Sequence, residues 1–428
     1  MTIMRAALLS LALLAATTGL ATPTDNDNDG LVLPKGFEVT VVHAGVGLAR
    51  HIAIRDNGDM YVTTHQFPFL SVDPAKRIGI VALRDTNGDH KADVVQTFAN
   101  DFDGTGAMIY QGMLYVSDDV AIYRFHFDGN ELIPKEPPET VIGDFPRERT
   151  HADKTFTFDN DGHIYVNVGA PTNSCQQQDR APGSMGHNPC PLLDHYAGIW
   201  RFDANKLGQT PKDGTRYATG LRNSIALTWN GDVNALYLTM HGRDQLDTIF
   251  PKLYTAEDNA ELVGEEFHRV VEGGNYGWPY TYFDTRLKAR VVAPEYGGDG
   301  KRRAEKGKFI DPLLAFPAHW APDDMLFYSG KNFPASYRGG AFIAFHGSWN
   351  RAPVPQAGYR VVFVPMRNGK PSGKWQTFAD NFTGGGLLDN NPRNARARPV
   401  GLAVDAEGAL VIVDSEKGRI WRVSYHGS

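Results

Sequence analysis

The stretch KTFTFDNDGHIYVNV, residues 154–168, has two runs of alternating apolar and polar residues on either side of the turn Asp161-Gly162. This pattern predicts an antiparallel β-hairpin with one buried face. Five more stretches share the form, and in several of them a third strand ends in an aromatic residue. They are residues 51–63, 106–127, 224–239, 325–345 and 399–423. The sequence therefore contains six copies of one strand-rich repeat.

Six such hairpins need partners for their apolar faces. A lone hairpin is marginally stable in water, whereas blades packed around an axis bury both faces and protect their edges. We therefore predict an all-β fold, a six-bladed β-propeller of four-stranded antiparallel blades, as a single domain over residues 35–428. The spacing between the fourth and fifth repeats is the longest, which predicts a long insertion within residues 241–320. The strongest helical pattern lies around residues 255–263.

The start of the chain has the features of a signal peptide over residues 1–21. Arg5 is the one charge before an apolar run, and small residues follow it. The run is shorter than the roughly 20 residues that span a bilayer, so we expect a periplasmic or secreted protein without stable membrane insertion. Residues 22–34 are expected to be a flexible mature N-terminus. The formal net charge of -6 disfavours nucleic acid as a partner.

Cys175 and Cys190 are the two cysteines of the chain, and they lie in a segment without a strand pattern. In an oxidising compartment they are expected to form a disulfide. Closing so short a loop would stabilise the fold by about 3 kcal/mol through the entropy of the unfolded chain. Two free thiols are the alternative.

No common catalytic or cofactor-binding motif occurs in the sequence. The sequence lacks G-x-S-x-G, H-E-x-x-H, a complete Walker A loop and C-x-x-C-H. It does place polar residues beside the repeat strands: His151 before the third copy, Arg222 and Asn223 before the fourth, His346, Trp349 and Arg351 after the fifth, and Arg396 and Arg398 before the sixth. Each alone could be a turn residue or a solvated edge. Together, at equivalent positions of four blades, they are expected to converge on one mouth of the channel.

With these residues the sequence resembles the soluble glucose and sorbosone dehydrogenase family, six-bladed propellers that use pyrroloquinoline quinone (PQQ). The resemblance covers about residues 35–425. It is carried by His151 seven residues before Phe158, GLRN at 220–223, GGNYGWP at 273–279, Arg396-Ala397-Arg398 and residues 414–422. The tract GSWNR at 347–351 and the cysteine-bearing loop look more like the sorbosone or pyranose dehydrogenase branch than the glucose branch.

The resemblance implies roles for the candidate residues. His151 would be the general base, Arg222 would polarise the quinone carbonyl, and Asn223 would bind the same cofactor edge. Arg396 and Arg398 would clamp the cofactor's carboxylates. The glucose branch has a fifth-blade Lys that is missing here, and His346, Trp349 or Arg351 could replace it. Ala170 stands where that branch has an Asp that orients the base, so Asn173 or Asp153 could orient His151 instead.

Calcium is the second cofactor that the resemblance implies. The backbone carbonyls of Gly242 and Arg243 would bind an ion at the quinone, and a structural ion would involve Glu266 and the carbonyl of Tyr276.

Independently, an acidic stretch has oxygen ligands at the spacing of an EF-like loop, although it lacks the expected Gly and the final Glu. These ligands are Asp85, Asn87, Asp89 and Asp93. A plain acidic hairpin loop is the alternative.

The function predicted from the sequence is a periplasmic PQQ-dependent dehydrogenase. It would oxidise an aldose, an aldehyde sugar or a related polyol by base-assisted hydride transfer to the quinone. Because the sequence has no C-x-x-C-H haem site, electrons would pass to a separate acceptor such as a cytochrome or a quinone. One alternative is a non-catalytic ligand-binding or scaffold propeller. Another is a calcium-dependent lactonase, which would need carboxylates and amides on the axis.

Overall fold

The structure, a computed structural model, describes residues 28–66, 79–385 and 391–427. It contains six antiparallel sheets of four main strands each, and the first strands of neighbouring sheets contact one another in a closed ring. The predicted six-bladed β-propeller is therefore confirmed. The signal peptide predicted for residues 1–21 lies outside the described residues. Within the described ranges, no helix has the length and apolar character needed to cross a membrane.

Blades 1 to 6 follow one another along the chain, and each has one strand at every distance from the axis. In blade order, the innermost strands are Ala49–Ile54, Gly104–Tyr110, Phe156–Phe158, Leu227–Asn230, Pro322–Phe327 and Pro399–Val404. The second strands are Met60–Thr64, Met113–Asp118, His163–Val168, Ala235–Met240, Ala341–Phe345 and Leu410–Asp414. The third strands are Ile80–Arg84, Ile122–Phe125, Gly198–Asp203, Glu265–Val270, Arg360–Val364 and Ile420–Tyr425. The outermost strands are Val94–Phe98, Glu139–Ile142, Thr215–Thr219, Leu314–Phe316, Gln376–Ala379 and Phe37–His43.

The hairpin of blade 3 shows why the repeat forms. Asp159 accepts hydrogen bonds from the backbone N–H groups of Asp161 and His163 at 2.9 and 2.8 Å, which closes the turn. Gly162 has φ of 89°, a left-handed conformation that costs glycine little. The flanking apolar residues Phe156, Ile164 and Val166 are buried against the neighbouring blades. The hydrogen bonds of the turn and the burial of the apolar face therefore stabilise the same hairpin.

The ring is closed by the N-terminal strand. Phe37–His43 pairs antiparallel with Ile420–Tyr425, so blade 6 takes its outermost strand from the start of the chain. Residues 28–34 also pack here, because Leu31 and Leu33 are buried in the same core cluster as Phe37. Asp29 accepts a hydrogen bond from the indole of Trp421 at 2.6 Å. Residues 28–34 thus contribute Leu31 and Leu33 to the core, and the flexible N-terminus expected over residues 22–34 stays a prediction.

The long insertion interrupts blade 4. The residues predicted to lie between the fourth and fifth repeats include the two outer strands of blade 4 themselves. The helices Leu246–Ile249 and Ala256–Glu261 lie between its second and third strands, and the second of them coincides with the helical pattern predicted around residues 255–263. Between the third and fourth strands, Gly274–Asn275 pairs in parallel with the outer strand of blade 3. A small hairpin, Thr281–Asp284 with Ala289–Val292, follows it.

The remaining elements are short. A two-stranded turn in blade 5 joins Met366–Arg367 to Lys370–Pro371. Single 3-10 turns occupy Asn28–Gly30, Pro191–Asp194, Pro211–Asp213, Pro294–Tyr296, Ala335–Tyr337 and Pro392–Asn394.

Candidate active site

Candidate residues from several blades lie at one end of the propeller, which we call the upper face. In each blade the first strand begins and the second strand ends at this face, as the antiparallel registers require. The position directly after the second strand is therefore equivalent in all blades. It holds His65, Asp119, Gly169, His241, His346 and Ser415 in blades 1 to 6.

His151 packs directly against Gly169, the residue that follows the second strand of blade 3. A Cβ on Gly169 would lie 2.7 Å from the Cβ of His151, so only glycine leaves room for the histidine there. The Nδ1 of His151 lies 2.6 Å from the carbonyl oxygen of Ala170. Because a carbonyl oxygen can only accept, Nδ1 carries the proton and Nε2 presents its lone pair. The backbone carbonyl of Ala170 thus orients the His151 ring.

Asp153 and Asn173, the two residues expected to orient His151, bind other groups. Asp153 accepts a hydrogen bond from the Thr105 hydroxyl. Asn173 binds Arg222, whose guanidinium is 4% exposed. The structure gives both side chains other partners, which come from blade 2 and from the segment before blade 4 and which sequence spacing does not reveal.

Arg222 is held by hydrogen bonds on three sides. Its Nε donates to the carbonyl of Asn173 at 3.1 Å, and its Nη1 donates to the carbonyl of Gly242 at 2.9 Å. Its Nη2 donates to Asn173 Oδ1 and to Asp244 Oδ2, both at 3.0 Å. The carboxylate of Asp244 also accepts from Asn350 Nδ2 at 2.8 Å and lies 3.6 Å from His319. Asp244 therefore joins loops of blades 3, 4 and 5.

The electrostatics of this group keep His151 neutral. Burial, and then the positive charge of Arg222, lower the pKa of His151 to about 3. Burial alone would raise the pKa of Asp244, but Arg222 and His319 hold it well below its usual range. The arrangement therefore offers an unprotonated imidazole beside a guanidinium at neutral pH.

A second group joins blades 1, 4, 5 and 6 around Asp323. Its carboxylate lies 3.3 Å from Arg50 Nη1 and 3.4 Å from His241 Nε2. His346 Nε2 lies 2.7 Å from the Ser415 hydroxyl, and Arg398 Nε donates to the carbonyl of His346 at 3.0 Å. Burial, and then Arg398, hold the pKa of His346 well below its usual value. His241 is close enough to affect both His151 and His346, so it connects the two groups.

Two of the expected cofactor-binding residues lie elsewhere. Arg351 donates from Nη1 to the carbonyls of Ala260 and Ala318 at 2.7 and 3.0 Å, so it joins its loop to the blade 4 insertion and to the segment before blade 5. Arg396 packs against the N-terminal segment, where a Cβ on Gly30 would lie 2.7 Å from its Nη1. The family resemblance implies both roles, but it does not tell on which side of a loop a long side chain lies.

Asn223 and Trp349 are placed as a ligand-binding role requires. Asn223 Oδ1 is buried and has no hydrogen-bond partner in the described part of the chain. Its side chain lies beside His151, because both line the space above Gly169. Trp349 is 64% exposed, and the next residue, Asn350, binds Asp244. These two residues stay candidates for contact with a ligand.

Two of the implied calcium ligands, the Gly242 carbonyl and Glu266, are engaged by guanidinium groups. The carbonyl of Gly242 accepts a hydrogen bond from Arg222, which sets a positive charge at the expected ion position. The side chain of Arg243 pairs with Glu295. Glu266 is neutralised by Arg290 and lies 3.0 Å from His268, and the Tyr276 hydroxyl donates to the Arg269 carbonyl. As arranged, the Gly242 carbonyl and the Glu266 carboxylate each bind a guanidinium group and do not fit a cation, whereas calcium binding by the Arg243 and Tyr276 carbonyls stays a prediction.

The acidic loop of blade 1 is closed by its own hydrogen bonds. Asp85 accepts from the backbone N–H groups of Asn87, Gly88 and His90 at 2.8 to 3.0 Å. Asp93 accepts from Thr86, and Asp89 accepts from the backbone of Lys91. Across residues 28–66, 79–385 and 391–427, no group of three or more His, Cys, Asp or Glu could hold a metal ion. The loop is therefore held by its own hydrogen bonds, and calcium binding there stays a prediction.

The predicted disulfide joins Cys175 to Cys190 beside this site. Replacing both cysteines with alanine should lower the free energy of unfolding by about 3 kcal/mol, because the unfolded chain gains the entropy of a 15-residue loop. Denaturant unfolding of the double variant against the parent protein measures this. A loss below about 1 kcal/mol would show that neighbouring contacts hold the loop without the bond.

Four residues of the site were not identified from the sequence: His241, Asp244, His319 and Asp323. A signal for one of them was present, since His241-Gly242 and His346-Gly347 both follow the second strand of their blades. Comparing equivalent positions across repeats would have found His241. Asp244 and Asp323 carry no such signal, because their partners come from other blades.

The fold and this site define a six-bladed β-propeller with a neutral histidine and a buried arginine at one mouth of the ring. The chain belongs to the TrAA12-like family, whose model matches residues 31–426. This match confirms the family resemblance stated from the sequence.

Relatives with known names agree with this assignment. A PQQ-dependent sugar dehydrogenase from Hypocrea jecorina is 24% identical over 431 residues, covering 95% of this chain and 86% of that protein. A PQQ-dependent pyranose dehydrogenase from Coprinopsis cinerea is 27% identical over 275 residues, covering 55% of this chain. The chain spans 48% and 35% of the length of the first curated relatives it matches. A solved structure of Trichoderma reesei Carbohydrate-Active Enzymes Family AA12 shares the fold, with a TM-score of 0.72, 20% identity and coverage of 95% and 100%.

Proposed function

We propose that this protein is a PQQ-dependent dehydrogenase that oxidises an aldose, an aldehyde sugar or a related polyol. The observation that carries the proposal is the His151 ring, whose Nδ1 is bound to a backbone carbonyl and whose Nε2 is free to accept a proton beside Arg222. The names of the curated relatives support the cofactor and the substrate class.

The residues of the upper face fit a quinone that carries carboxylates. The buried Oδ1 of Asn223 is an unsatisfied polar atom, and rotation of the amide would present an N–H donor instead. Arg222 and Arg398 bring positive charge to the same mouth, and guanidinium groups suit carboxylates and quinone oxygens. When bound, PQQ would supply the quinone that takes up the hydride from the substrate carbon.

The chain's own contribution is proton transfer and positioning. His151 Nε2 would accept the proton of the substrate hydroxyl, a role that requires the neutral ring. Arg222 would hold its charge where negative charge develops during the reaction. Calcium has no assigned step, because Arg222 already binds the Gly242 carbonyl. The buried disulfide supports a periplasmic or secreted location, and electrons would leave to a separate acceptor.

Reconstitution tests the proposed function. Purified protein would be titrated with PQQ, with and without calcium, and dye reduction would be followed across aldoses, aldehyde sugars and polyols. Micromolar PQQ binding and sugar-dependent dye reduction are expected. Absence of cofactor binding at micromolar concentration would refute the proposal, and a strict calcium requirement would contradict the ligand assignment above.

Trp349 is expected to form a platform for the sugar ring. Its neighbours are fixed, since Ser348 donates to Gln356 at 2.6 Å and Asn350 donates to Asp244 at 2.8 Å, while the indole is left exposed. Trp349→Ala should raise KM for pyranoses about 10-fold, because an apolar stacking face is lost. Trp349→Phe is the matched control and should stay near the parent value. A weakened affinity for PQQ with unchanged KM would place Trp349 against the cofactor instead.

A further inference from the structure

We propose that Asn173 is a positioning residue, which fixes the Arg222 guanidinium within the group of residues around His151. This inference rests on the proposed function for its kinetic consequence, but its structural claim can be measured without any cofactor. Asn173 lies in the connection between the second and third strands of blade 3, two residues before Cys175.

Asn173 uses both its backbone and its side chain on the same guanidinium. Its carbonyl oxygen accepts from Arg222 Nε at 3.1 Å, and its Oδ1 accepts from Arg222 Nη2 at 3.0 Å. The residue is fully buried. Two acceptors on one residue fix the plane of the guanidinium as well as its position.

Asn173 also fastens the segment that carries Asp244. Its Oδ1 accepts from the backbone N–H of Asp244 at 3.0 Å, and its Nδ2 donates to the carbonyl of Asp244 at 2.9 Å. The carbonyl oxygen of Asn173 accepts a further bond from the Trp278 indole at 2.9 Å. One carboxamide therefore couples blade 3 to the loop of blade 4 that supplies the counter-charge of Arg222. The alternative is that Asn173 only stabilises the two loops.

Because the positive charge of Arg222 lowers the pKa of His151, a movement of Arg222 can be detected by titrating His151. The charged and titratable groups near the ring are Arg222, Asp244 and His241, and Arg222 is the strongest of them. Asparagine is neutral, so its removal changes no charge. A movement of Arg222 away from the ring would weaken the repulsion of the imidazolium and raise the pKa of His151.

The experiment titrates the His151 ring by NMR in cofactor-free protein, with the His151→Ala spectrum to assign the signal. In Asn173→Ala we expect the pKa of His151 to rise by about one unit or more, since a pairwise charge effect of this kind is of that order. In the reconstituted enzyme we expect kcat to fall about 10-fold with KM within about 2-fold, because positioning acts on the reacting step.

Asn230→Ala is the matched control, because it removes another buried amide, which binds the Asp232 backbone at the opposite end of blade 4. It should leave the pKa of His151 unchanged. Asn173→Ser provides a second, milder variant in case the alanine variant does not fold. If a folded Asn173 variant loses only thermal stability, with the His151 pKa and kcat unchanged, the positioning role is overturned. Loss of PQQ binding by the parent protein would refute the proposed function while leaving the NMR result intact.

Discussion

Replacing His151 with alanine is expected to lower kcat about 10²- to 10⁴-fold, the usual contribution of a positioned general base. The structure leaves Nε2 of this ring available and places Arg222 beside it. Binding of PQQ should change little, because the groups expected to hold it are the Arg222, Asn223 and Arg398 side chains. Stopped-flow reduction and equilibrium titration with PQQ measure the two effects separately.

His163→Ala is the control for this prediction. His163 lies in the same blade at the opposite end of the second strand, where its Nδ1 contacts Asp159 at 2.8 Å. Its removal should leave kcat within about 2-fold of the parent value, since no group of the upper face is disturbed. Unchanged turnover in His151→Ala would favour a non-catalytic ligand-binding propeller.

Replacing Glu295 with glutamine is expected to lower the free energy of unfolding by about 3–5 kcal/mol, because it leaves a buried guanidinium without its counter-charge. Arg243 Nη1 lies 2.6 and 2.5 Å from the two oxygens of Glu295, and the two side chains are 4% and 0% exposed. Ser174 donates to the same carboxylate at 2.8 Å. The pair thus ties the blade 4 insertion to the upper face.

Glu272→Gln breaks an exposed ion pair of the same chemistry. Arg201 and Glu272 lie 3.1 Å apart, with side chains 26% and 58% exposed. Its loss should cost less than about 1 kcal/mol, since solvent screens both charges. Denaturant unfolding of the two variants gives the comparison. Equal losses would mean that the Arg243–Glu295 pair is solvated and does not fix the insertion.

The repeat could be predicted because its causes are local. A turn such as Asp159 to His163 needs only side chains within four residues and a glycine with positive φ. The same holds for His151, Arg222 and Asn223, which stand at a fixed distance before their strands. The outer strand of blade 6 was not assigned from the repeat, because its residues lie at the other end of the chain.

The site itself depends on contacts between residues that are far apart in the chain, and the spacing of residues in the sequence does not reveal such contacts. Asp244 meets Arg222, His319 and Asn350, and Asp323 meets Arg50 and His241, with partners far apart in the chain. The family resemblance implies cofactor contacts for Arg351 and Arg396, whereas packing places them against the blade 4 insertion and the N-terminal segment. Long side chains can reach several surroundings, and the choice is made by burial and by available acceptors.

By itself, the sequence determined the all-β class, the six blades, the pairing of Cys175 with Cys190 and the face on which His151 and Arg222 lie. Each of these follows from periodicity, turn chemistry or a short separation along the chain. The tertiary structure alone decided that the Ala170 carbonyl orients His151, that Asn173 and Asp244 hold Arg222, and that the insertion interrupts blade 4. The physical reason is that buried polar groups must find partners, and in a closed ring those partners come from different blades.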